Sequence, residues 1–508
     1  MFRQDSDAHS MFRNKITWIN RNWFFLILLF IFLYLYVFKL PFPGTDDLFF
    51  KEAGVSLIRG QGFRAPGLIG FSPDIEKHFV WYPPLYPFIY GIWFFLFGFS
   101  ISNSLVLSYL ICGLIAFRQC QLYDAMAKTK TPFYIYGLIS FSWTIALKEI
   151  HRPDALLTLF VLSLLLLLIK KITKGLTLSD NLNIIFLIGL SLATSFALGI
   201  LSMVYIYFVF VSMQGFSIRT TKNFFSLFTF GFAICSLIWW LSFHSAPYLF
   251  KTQFIEFLYN RLFPIEYLSI LPYTIINHFK FGFSLFYLPL IIFLIFVTIK
   301  SIILESDMIK KNLIFWQFLG IVIAWLILVI IVPYRYTYFQ VFYTIFISGV
   351  VFQISAKLFE KSRIKRFFYL CLFISYLPFF KTTFLLPLTW NKQDMYGYNK
   401  RLILSNVSKG SKIITDPRFW YLFDKDYEVF SPSSSYSVIH SCDYVLLASG
   451  GGGSPSVPLN QMVQNELSYF KQNFIKHLSS MTNQPNKLFG IPISRSRWSY
   501  RFELYKRK

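Results

Sequence analysis

Charged residues are scarce in this chain, and acidic ones are the scarcest. Only 14% of its 508 residues are charged, with 24 Asp and Glu against 48 Lys and Arg, whereas 55% are hydrophobic and the mean hydropathy is +0.53. A water-soluble domain of this size carries far more charge on its surface. The composition therefore excludes an ordinary soluble protein and predicts one that is solvated by lipid.

Cysteines are also few, and the five present lack the spacing of a disulfide framework or a metal motif. The net charge of +24 would indicate nucleic acid as the partner of a soluble protein. Here the basic residues stand in short clusters between apolar runs, which is typical of cytoplasmic loops beside anionic lipid. We therefore expect membrane lipid, and no nucleic acid, as a partner.

Long apolar runs recur over residues 1–386. Those at 23–38, 155–169, 313–332 and 367–386 are long enough for a hydrocarbon core of roughly 30 Å, and about eleven spans fit in all. The first run has basic residues before it and no small-residue cleavage site after it, so we interpret it as an uncleaved span that starts in the cytoplasm. The expected fold class is an all-α polytopic membrane domain.

Two ambiguous segments decide which face each loop occupies. Leu85 to Phe97 is short for a span and suits the interface, whereas Leu182 to Met213 has the length of two short crossings joined near Ser195. If the first segment lies in the interface and the second crosses twice, sixteen basic residues share one face of the membrane. Beyond the first loop, the loops on the other face contain only Lys148, Arg152, Lys251, Arg261, Lys280 and Arg335. The positive-inside rule places the first face in the cytoplasm and the loop at 42–102, with its interfacial helices, outside.

Residues 387–508 change character and predict a small outward-facing α/β domain. Alternating runs at 411–415 and 442–449 predict strands, and residues 459–478 predict a helix. The glycines at 450–453 resemble a phosphate cradle or a flexible loop. We favour the loop, because the spaced-glycine pattern of a cradle is missing.

The first candidate site follows the first apolar run. Pro41, Pro43 and Gly44 end that helix, and Thr45-Asp46-Asp47 opens a new one that runs to about Arg59, with Thr45 as its expected N-cap. Both aspartates would complement the helix dipole. Asp47 has a local ion-pair partner in Lys51, four residues on, whereas Asp46 has none in the sequence.

Further ionisable residues stand at the outer mouths of later spans. Pro153 suits the start of a helix, which places Asp154 in the first turn of that helix, close to Arg152. These ionisable residues either anchor the helix at the membrane surface or belong to a functional site. Arg335 and Tyr336 lie at a late span, where the arginine either snorkels or clamps a phosphate. His78 and Tyr82, before a double proline, are weaker candidates for substrate binding.

Several of these motifs follow one another in an order that resembles a known group. The ordered set is Thr45-Asp46-Asp47, Ile58-Arg59-Gly60-Gln61-Gly62, Trp81-Tyr82-Pro83-Pro84-Leu85-Tyr86-Pro87, Leu96-Phe97-Gly98, Arg152 with Asp154, and Arg335-Tyr336. It resembles membrane glycosyltransferases of the GT-C fold, specifically the protein O-mannosyltransferase and lipid A aminoarabinose transferase group. The likeness covers about the first 350 residues.

The resemblance implies transfer of a sugar from a polyprenyl-phosphate donor to an acceptor hydroxyl at the outer face of a cell membrane. Asp46 matches the essential first-loop aspartate, Asp47 the acidic residue after it, and Asp154 that of the second outer loop. We therefore expect Asp46 and Asp154 to be catalytic, with Asp46 as the base and Asp154 holding the acceptor or a metal ion. Asp47, Arg152 and Tyr336 are expected to bind substrate. Where the aminoarabinose enzymes carry a lysine beside the proline, this chain has Tyr82, so we expect Arg335 to contact the donor phosphate instead. The sugar and the acceptor, whether lipid, glycan or protein, stay open.

Two carboxylates beside a phosphate repel it, so a cation is required. Arg152 and Arg335 would supply it, or a divalent metal ion would, and the sequence does not choose. Two other functions stay open as alternatives: a transporter or flippase of lipid-linked sugars, and a surface-polysaccharide polymerase or ligase. Transporters place ionisable groups near the midplane, whereas here they gather at the outer face, which favours the transferase.

Overall fold

The computed structural model describes the chain in eleven segments: residues 4–126, 133–148, 150–171, 175–255, 287–331, 339–353, 362–431, 438–448, 467–480, 486–492 and 499–508. In the first helix, side chains are described from Arg21 onward.

Residues up to 386 are mainly helical where they are described. The helices are α1 (Gln4–Phe38), α2 (Thr45–Ile58), α3 (Leu85–Phe97), α4 (Ile101–Met126), α5 (Phe133–Lys148), α6 (Asp154–Lys170), α7 (Leu178–Thr194), α8 (Phe196–Gln214), α9 (Ile218–Phe243), α10 (Leu288–Leu304), α11 (Met308–Ile331), α12 (Phe339–Phe346) and α13 (Ser362–Phe379). Short π-helical segments continue α12 and α13, at Ile347–Val351 and Phe380–Leu385.

Several of these helices could cross a membrane. Among the described residues, six are long and apolar enough: Arg21–Phe38, Ile101–Met126, Phe196–Gln214, Ile218–Phe243, Lys310–Leu328 and Arg363–Thr389. Shorter apolar helices, α3 and α7 among them, accompany these six. The multi-pass character of the prediction is therefore supported, whereas the count of eleven spans stays a prediction. The expected break near Ser195 is confirmed, since α7 ends at Thr194 and α8 begins at Phe196.

The helix α6 lies in the interior of the bundle. It is apolar around its whole circumference, and it packs against α4, α7, α8 and α12. Its first residue, Asp154, is fully buried, and its last, Lys170, is exposed. Asp154 is thus held at one end of a central helix, where the surrounding helices limit its movement.

The first loop, residues 42–102, contains two helices in close contact. The helix predicted at Leu85 to Phe97 is confirmed as α3, which packs on α2 through glycines. A Cβ atom added to Gly91 would stand 2.8 Å from the carbonyl oxygen of Gly54. The absence of both side chains therefore allows the backbones of α2 and α3 to touch.

The start of α2 differs by one residue from the prediction. Thr45 was expected to cap the helix, but it is the first helical residue and Gly44 is the N-cap. The Asp47 carboxylate accepts the Gly44 N–H at 3.0 Å, so the side chain of the third helical residue satisfies the cap backbone. The first turn of α2 is consequently held by Asp47.

The C-terminal residues form the predicted α/β domain. Its helices are α14 (Tyr396–Leu404) and α15 (Leu467–Asn473), and its strands are β1 (Lys412–Thr415), β2 (Glu428–Phe430), β3 (Tyr444–Ala448), β4 (Phe474–Ser479), β5 (Lys487–Leu488), β6 (Ile491–Pro492) and β7 (Phe502–Arg507). Five strands make one sheet in the order β2-β1-β3-β7-β4. The pairs β1/β2 and β1/β3 are parallel, and β3/β7 and β7/β4 are antiparallel.

The helix predicted at 459–478 is wrong at its end. Residues Phe474–Ser479 form β4, because they pair with β7 at the edge of the sheet, and within the described part of the predicted range the helix is limited to Leu467–Asn473. A partner strand from the end of the chain overrides the local helical pattern. Residues 459–466 and the glycines at 450–453 lie outside the described residues.

The C-terminal domain is docked on the first loop by polar contacts. The Ser431 N–H donates to the Gly67 carbonyl at 2.8 Å, and the Tyr500 hydroxyl donates to the Lys39 carbonyl. The Arg418 guanidinium stands 5.4 Å from the centre of the Phe42 ring. These contacts hold a 3-10 turn of the domain, Pro417–Leu422, beside the start of α2.

Candidate active site

The two segments singled out in the sequence converge in space. Asp46 begins α2, and Arg152 and Asp154 stand at the start of α6. The His151 Nε2 atom lies 3.2 Å from the carbonyl oxygen of Pro41, which ties the turn before α6 to the residues before α2. Two helix N-termini therefore face one small region, and each provides a partial positive charge that favours anions.

Arg152 is the centre of this region. Its Nη1 atom donates to Asp46 Oδ2 at 2.7 Å, and its Nε atom donates to Asp154 Oδ2 at 3.0 Å. The guanidinium also lies 5.5 Å from the centre of the Phe50 ring, within the range of a cation–π contact. One buried arginine thus joins Asp46 and Asp154, the two residues expected to be catalytic.

The three aspartates differ in their access to solvent. The Asp46 side chain is 35% exposed, whereas those of Asp47 and Asp154 are fully buried. Only Asp46 of the three can therefore meet a substrate without a rearrangement of the packed helices. Exposure to solvent thus separates Asp46 from Asp47, which the sequence distinguished only by the Lys51 partner of Asp47.

Asp47 belongs to a buried polar network. Its Oδ1 atom accepts from Lys51 Nζ and from the Tyr421 hydroxyl, each at 2.6 Å, and its Oδ2 atom lies 3.0 Å from His151 Nδ1. Burial by itself raises the pKa of Asp47, but the charges and hydrogen bonds of His151 and Lys51 outweigh it and hold that pKa well below its usual range. The ion pair with Lys51 expected from the sequence is confirmed.

Lys51 is a buried cation with a full set of partners. Besides Asp47, its Nζ atom donates to the Ser104 hydroxyl at 3.0 Å and to Tyr421 at 3.4 Å, and it lies 4.3 Å from the Tyr90 ring centre. Burial lowers the pKa of Lys51, and the neighbouring Asp47 opposes that shift. The buried ion pair of Lys51 and Asp47 therefore stabilises the first turns of α2, where Asp46 also lies.

A second buried acid lies one turn further along α2. Glu52 accepts the Gly67 N–H at 2.8 Å, and burial raises the pKa of its carboxyl to about 8, against the opposing charges of Arg59 and Arg64. Gly67 also accepts from Ser431. The Glu52 carboxyl thus supports the loop segment on which the C-terminal domain rests.

Aromatic rings line the approach to Arg152. The Tyr82 ring meets the Phe50 ring edge-on, with 4.6 Å between their centres, and its hydroxyl donates to Ser195 Oγ at 2.8 Å. The candidate Tyr82 is therefore placed next to the ring that supports Arg152, and it connects the first loop to the turn between α7 and α8.

The remaining predicted residues are not brought into this cluster by any described contact. The carbonyl of His78 accepts from Gln253 Nε2 at 2.9 Å, and no contact between the His78 ring and the aspartates occurs in the described part of the chain. Arg335 and Tyr336, proposed as substrate ligands, lie outside the described residues. Among the residues that are described, no group of three or more His, Cys, Asp or Glu side chains could hold a metal ion.

Sequence reasoning missed four members of the cluster as site residues: His151, Ser104, Tyr90 and Tyr421. His151 had a signal, since it adjoins Arg152 in a charged turn. Tyr421 had none, because its place depends on the docking of a domain that lies far along the chain.

Comparison with models of known protein families finds no match to this chain, and comparison with curated proteins finds no similar sequence. The likeness to GT-C glycosyltransferases therefore rests on the ordered motifs alone.

Proposed function

We propose that this chain is a multi-pass membrane glycosyltransferase that moves a sugar from a polyprenyl-phosphate donor to an acceptor hydroxyl. The observation that carries the proposal is the Arg152 guanidinium shared by Asp46 and Asp154, at 2.7 Å and 3.0 Å. This arrangement places a solvent-accessible carboxylate and a cation that can bind a phosphate at the N-terminal ends of α2 and α6. The ordered motifs support the same class of reaction.

Asp46 is the proposed general base. The proton of the acceptor hydroxyl passes to its carboxylate while the acceptor oxygen bonds to the anomeric carbon. The bond between that carbon and the donor phosphate oxygen breaks, and polyprenyl phosphate leaves with the electron pair. Because the leaving group is already a phosphate, the reaction requires mainly a positioned base, which typically contributes about 10²- to 10⁴-fold in rate.

Arg152 is proposed to bind the donor phosphate. In the structure its Nη1 atom donates a hydrogen bond to Asp46 Oδ2, so this carboxylate oxygen is already occupied. A donor phosphate that competes for this guanidinium would release Asp46 only when substrate is present. Asp154 is fully buried and accepts from Nε, so we assign it the role of a positioning residue that keeps Arg152 in place.

The proposed orientation puts the N-terminus in the cytoplasm and the active site with the C-terminal domain outside, in the cell membrane of the organism. The separation of basic clusters from the acidic site, at opposite ends of α6, supports it. Reporter fusions at residues 128, 220, 305 and 450 should place only the last outside. A cytoplasmic signal at 450 would overturn the topology.

The function is tested with purified protein in nanodiscs and a panel of decaprenyl-phosphate hexoses and pentoses, by release of decaprenyl phosphate in the presence of hydroxyl acceptors. Asp46→Asn keeps the shape of the side chain and removes the charge, so release should fall by about 10²-fold or more while the melting temperature is unchanged. Asp74→Asn is the matched control, since Asp74 pairs with Lys77 at the surface of the same loop.

Two results would contradict the proposal. If the Asp46→Asn protein releases decaprenyl phosphate at a near wild-type rate, Asp46 is not the general base. Donor lipids that cross proteoliposomes intact, with no release by any protein variant, would identify a transporter instead.

A further inference from the structure

A cavity of about 470 Å³ opens between α4, α6 and α7, at the end of the bundle away from the aspartates. Lys170, at its rim, is the last residue of α6, and Asp154 is the first. A helix of this length separates them by roughly 24 Å, most of the thickness of a hydrocarbon core. The charged rim of the cavity and the proposed active site therefore lie at opposite ends of α6.

The walls of the cavity are apolar and open toward the surrounding lipid. Leu159, Phe160 and Leu167 of α6 form its floor, since α6 packs between α4 and α7. Leu114 on α4 and Phe186 on α7 are 49% and 53% exposed, so the sides of the cavity are accessible from the membrane. An apolar groove of this volume suits an acyl chain better than a water-soluble ligand.

The rim of the cavity carries two positively charged side chains. Arg118 and Lys170 both line the cavity, and Arg118 donates to the neutral Gln121 amide at 2.7 Å. The nearby acids are engaged elsewhere: Asp124 pairs with Arg21 at 3.2 Å and Asp180 pairs with Lys171 at 2.9 Å. Within the described residues neither Arg118 nor Lys170 forms an ion pair.

We propose that this groove binds one anionic phospholipid, with its phosphate between Arg118 and Lys170 and an acyl chain along Leu159 and Phe160. Basic pockets between membrane helices bind anionic headgroups in this way, because the headgroup meets the charges at the level of the interface. The proposal is independent of the proposed sugar transfer, since it uses none of the residues around Arg152.

The test is native mass spectrometry of the purified chain with phosphatidylglycerol, and with phosphatidylcholine for comparison. The double variant Arg118→Gln with Lys170→Gln should bind phosphatidylglycerol about 30-fold more weakly, as expected for two lost phosphate contacts, and phosphatidylcholine should bind weakly to every form. The control is Arg219→Gln with Lys222→Gln, which removes two exposed charges at the start of α9 and should leave binding unchanged.

A second variant separates the acyl chain from the headgroup. Ser163 lines the middle of the groove, so Ser163→Leu should fill it and lower phosphatidylglycerol binding while both cations remain. Melting temperatures without added lipid verify that each variant is folded. Equal phosphatidylglycerol binding by wild type and both groove variants overturns the proposal. Displacement by glycerol 3-phosphate would show a free phosphate site, and preferential displacement by decaprenyl phosphate would show a carrier-lipid site; either also overturns it.

Discussion

The hydroxyl of Tyr421 donates a 2.6 Å hydrogen bond to Oδ1 of Asp47, although 374 positions separate the two residues in the chain. The same hydroxyl lies 2.8 Å from Ser104 Oγ at the start of α4. The C-terminal domain, the first loop and the helical domain thus meet at one buried carboxylate. Because Asp46 precedes Asp47 in the same helical turn, the position of the proposed base depends on this contact.

We expect Tyr421→Phe to lower stability and activity together. The change removes a donor from a buried carboxylate, which costs about 1.5–3 kcal/mol, and it loosens the turn that holds Asp46. The melting temperature and the rate of donor turnover should both fall. Tyr427→Phe is the control, because Tyr427 is half-buried and packs against Phe423 at the domain surface. A Tyr421→Phe protein as stable and active as wild type would show that the contact has no supporting role.

Arg152→Lys should impair donor binding more than stability. Lysine provides a point charge and lacks the guanidinium fork that reaches Asp46 and Asp154 from separate nitrogens. We expect a raised KM for the decaprenyl-phosphate donor and a lower kcat. Arg152→Gln should in addition destabilise the fold by about 3–5 kcal/mol, because it removes the positive charge that pairs with the buried Asp154 carboxylate. Steady-state kinetics measures KM and kcat for both variants, and thermal unfolding measures their stability. An unchanged donor KM in Arg152→Lys would contradict the proposal that Arg152 binds the donor phosphate.

Glu52 should make the stability of the protein fall as pH rises. Its pKa is about 8 in the folded protein and about 4.3 in an unfolded chain. Between these values the folded state keeps a proton that the unfolded state has lost, so raising the pH favours unfolding until the folded carboxyl ionises near pH 8. Melting temperatures from pH 5 to 9 should decline in wild type and decline less in Glu52→Gln, which cannot ionise. Glu428→Gln, an exposed control on β2, should keep the wild-type slope, and parallel curves for all three proteins would refute the assignment.

Gly54→Ala should separate α2 from α3. An added Cβ atom would overlap the backbone carbonyl of Pro87, and a backbone cannot yield as a flexible side chain does. Overpacking of this kind costs about 1–3 kcal/mol and would displace the helix that carries Asp46, so both the melting temperature and turnover should fall. In Gly397→Ala the new Cβ meets nothing within 4 Å, and that control should be as stable as wild type or slightly more stable. Equal melting temperatures for the two variants would be inconsistent with the tight contact.

The helical membrane domain, the short helix at Leu85 to Phe97, the break near Ser195 and the strands at Lys412–Thr415 and Tyr444–Ala448 could all be predicted from the sequence. Hydropathy, helix-ending prolines and glycines, and strand alternation act between residues close in the chain, so their effects are visible locally. Their places at helix starts made Asp46, Arg152 and Asp154 candidates, and the ordered motifs that resemble GT-C glycosyltransferases favoured Asp46 and Asp154 as functional residues.

Tertiary structure alone decided how far each of the acidic residues is exposed to solvent. Asp46 and Asp47 are adjacent and chemically identical, yet packing buries Asp47 with Lys51 and Tyr421 and leaves Asp46 partly exposed beside Arg152. Likewise, Phe474–Ser479 is a strand because β7 offers it a partner from the end of the chain. These outcomes depend on burial and on contacts between distant segments, and neither quantity exists until the chain has folded.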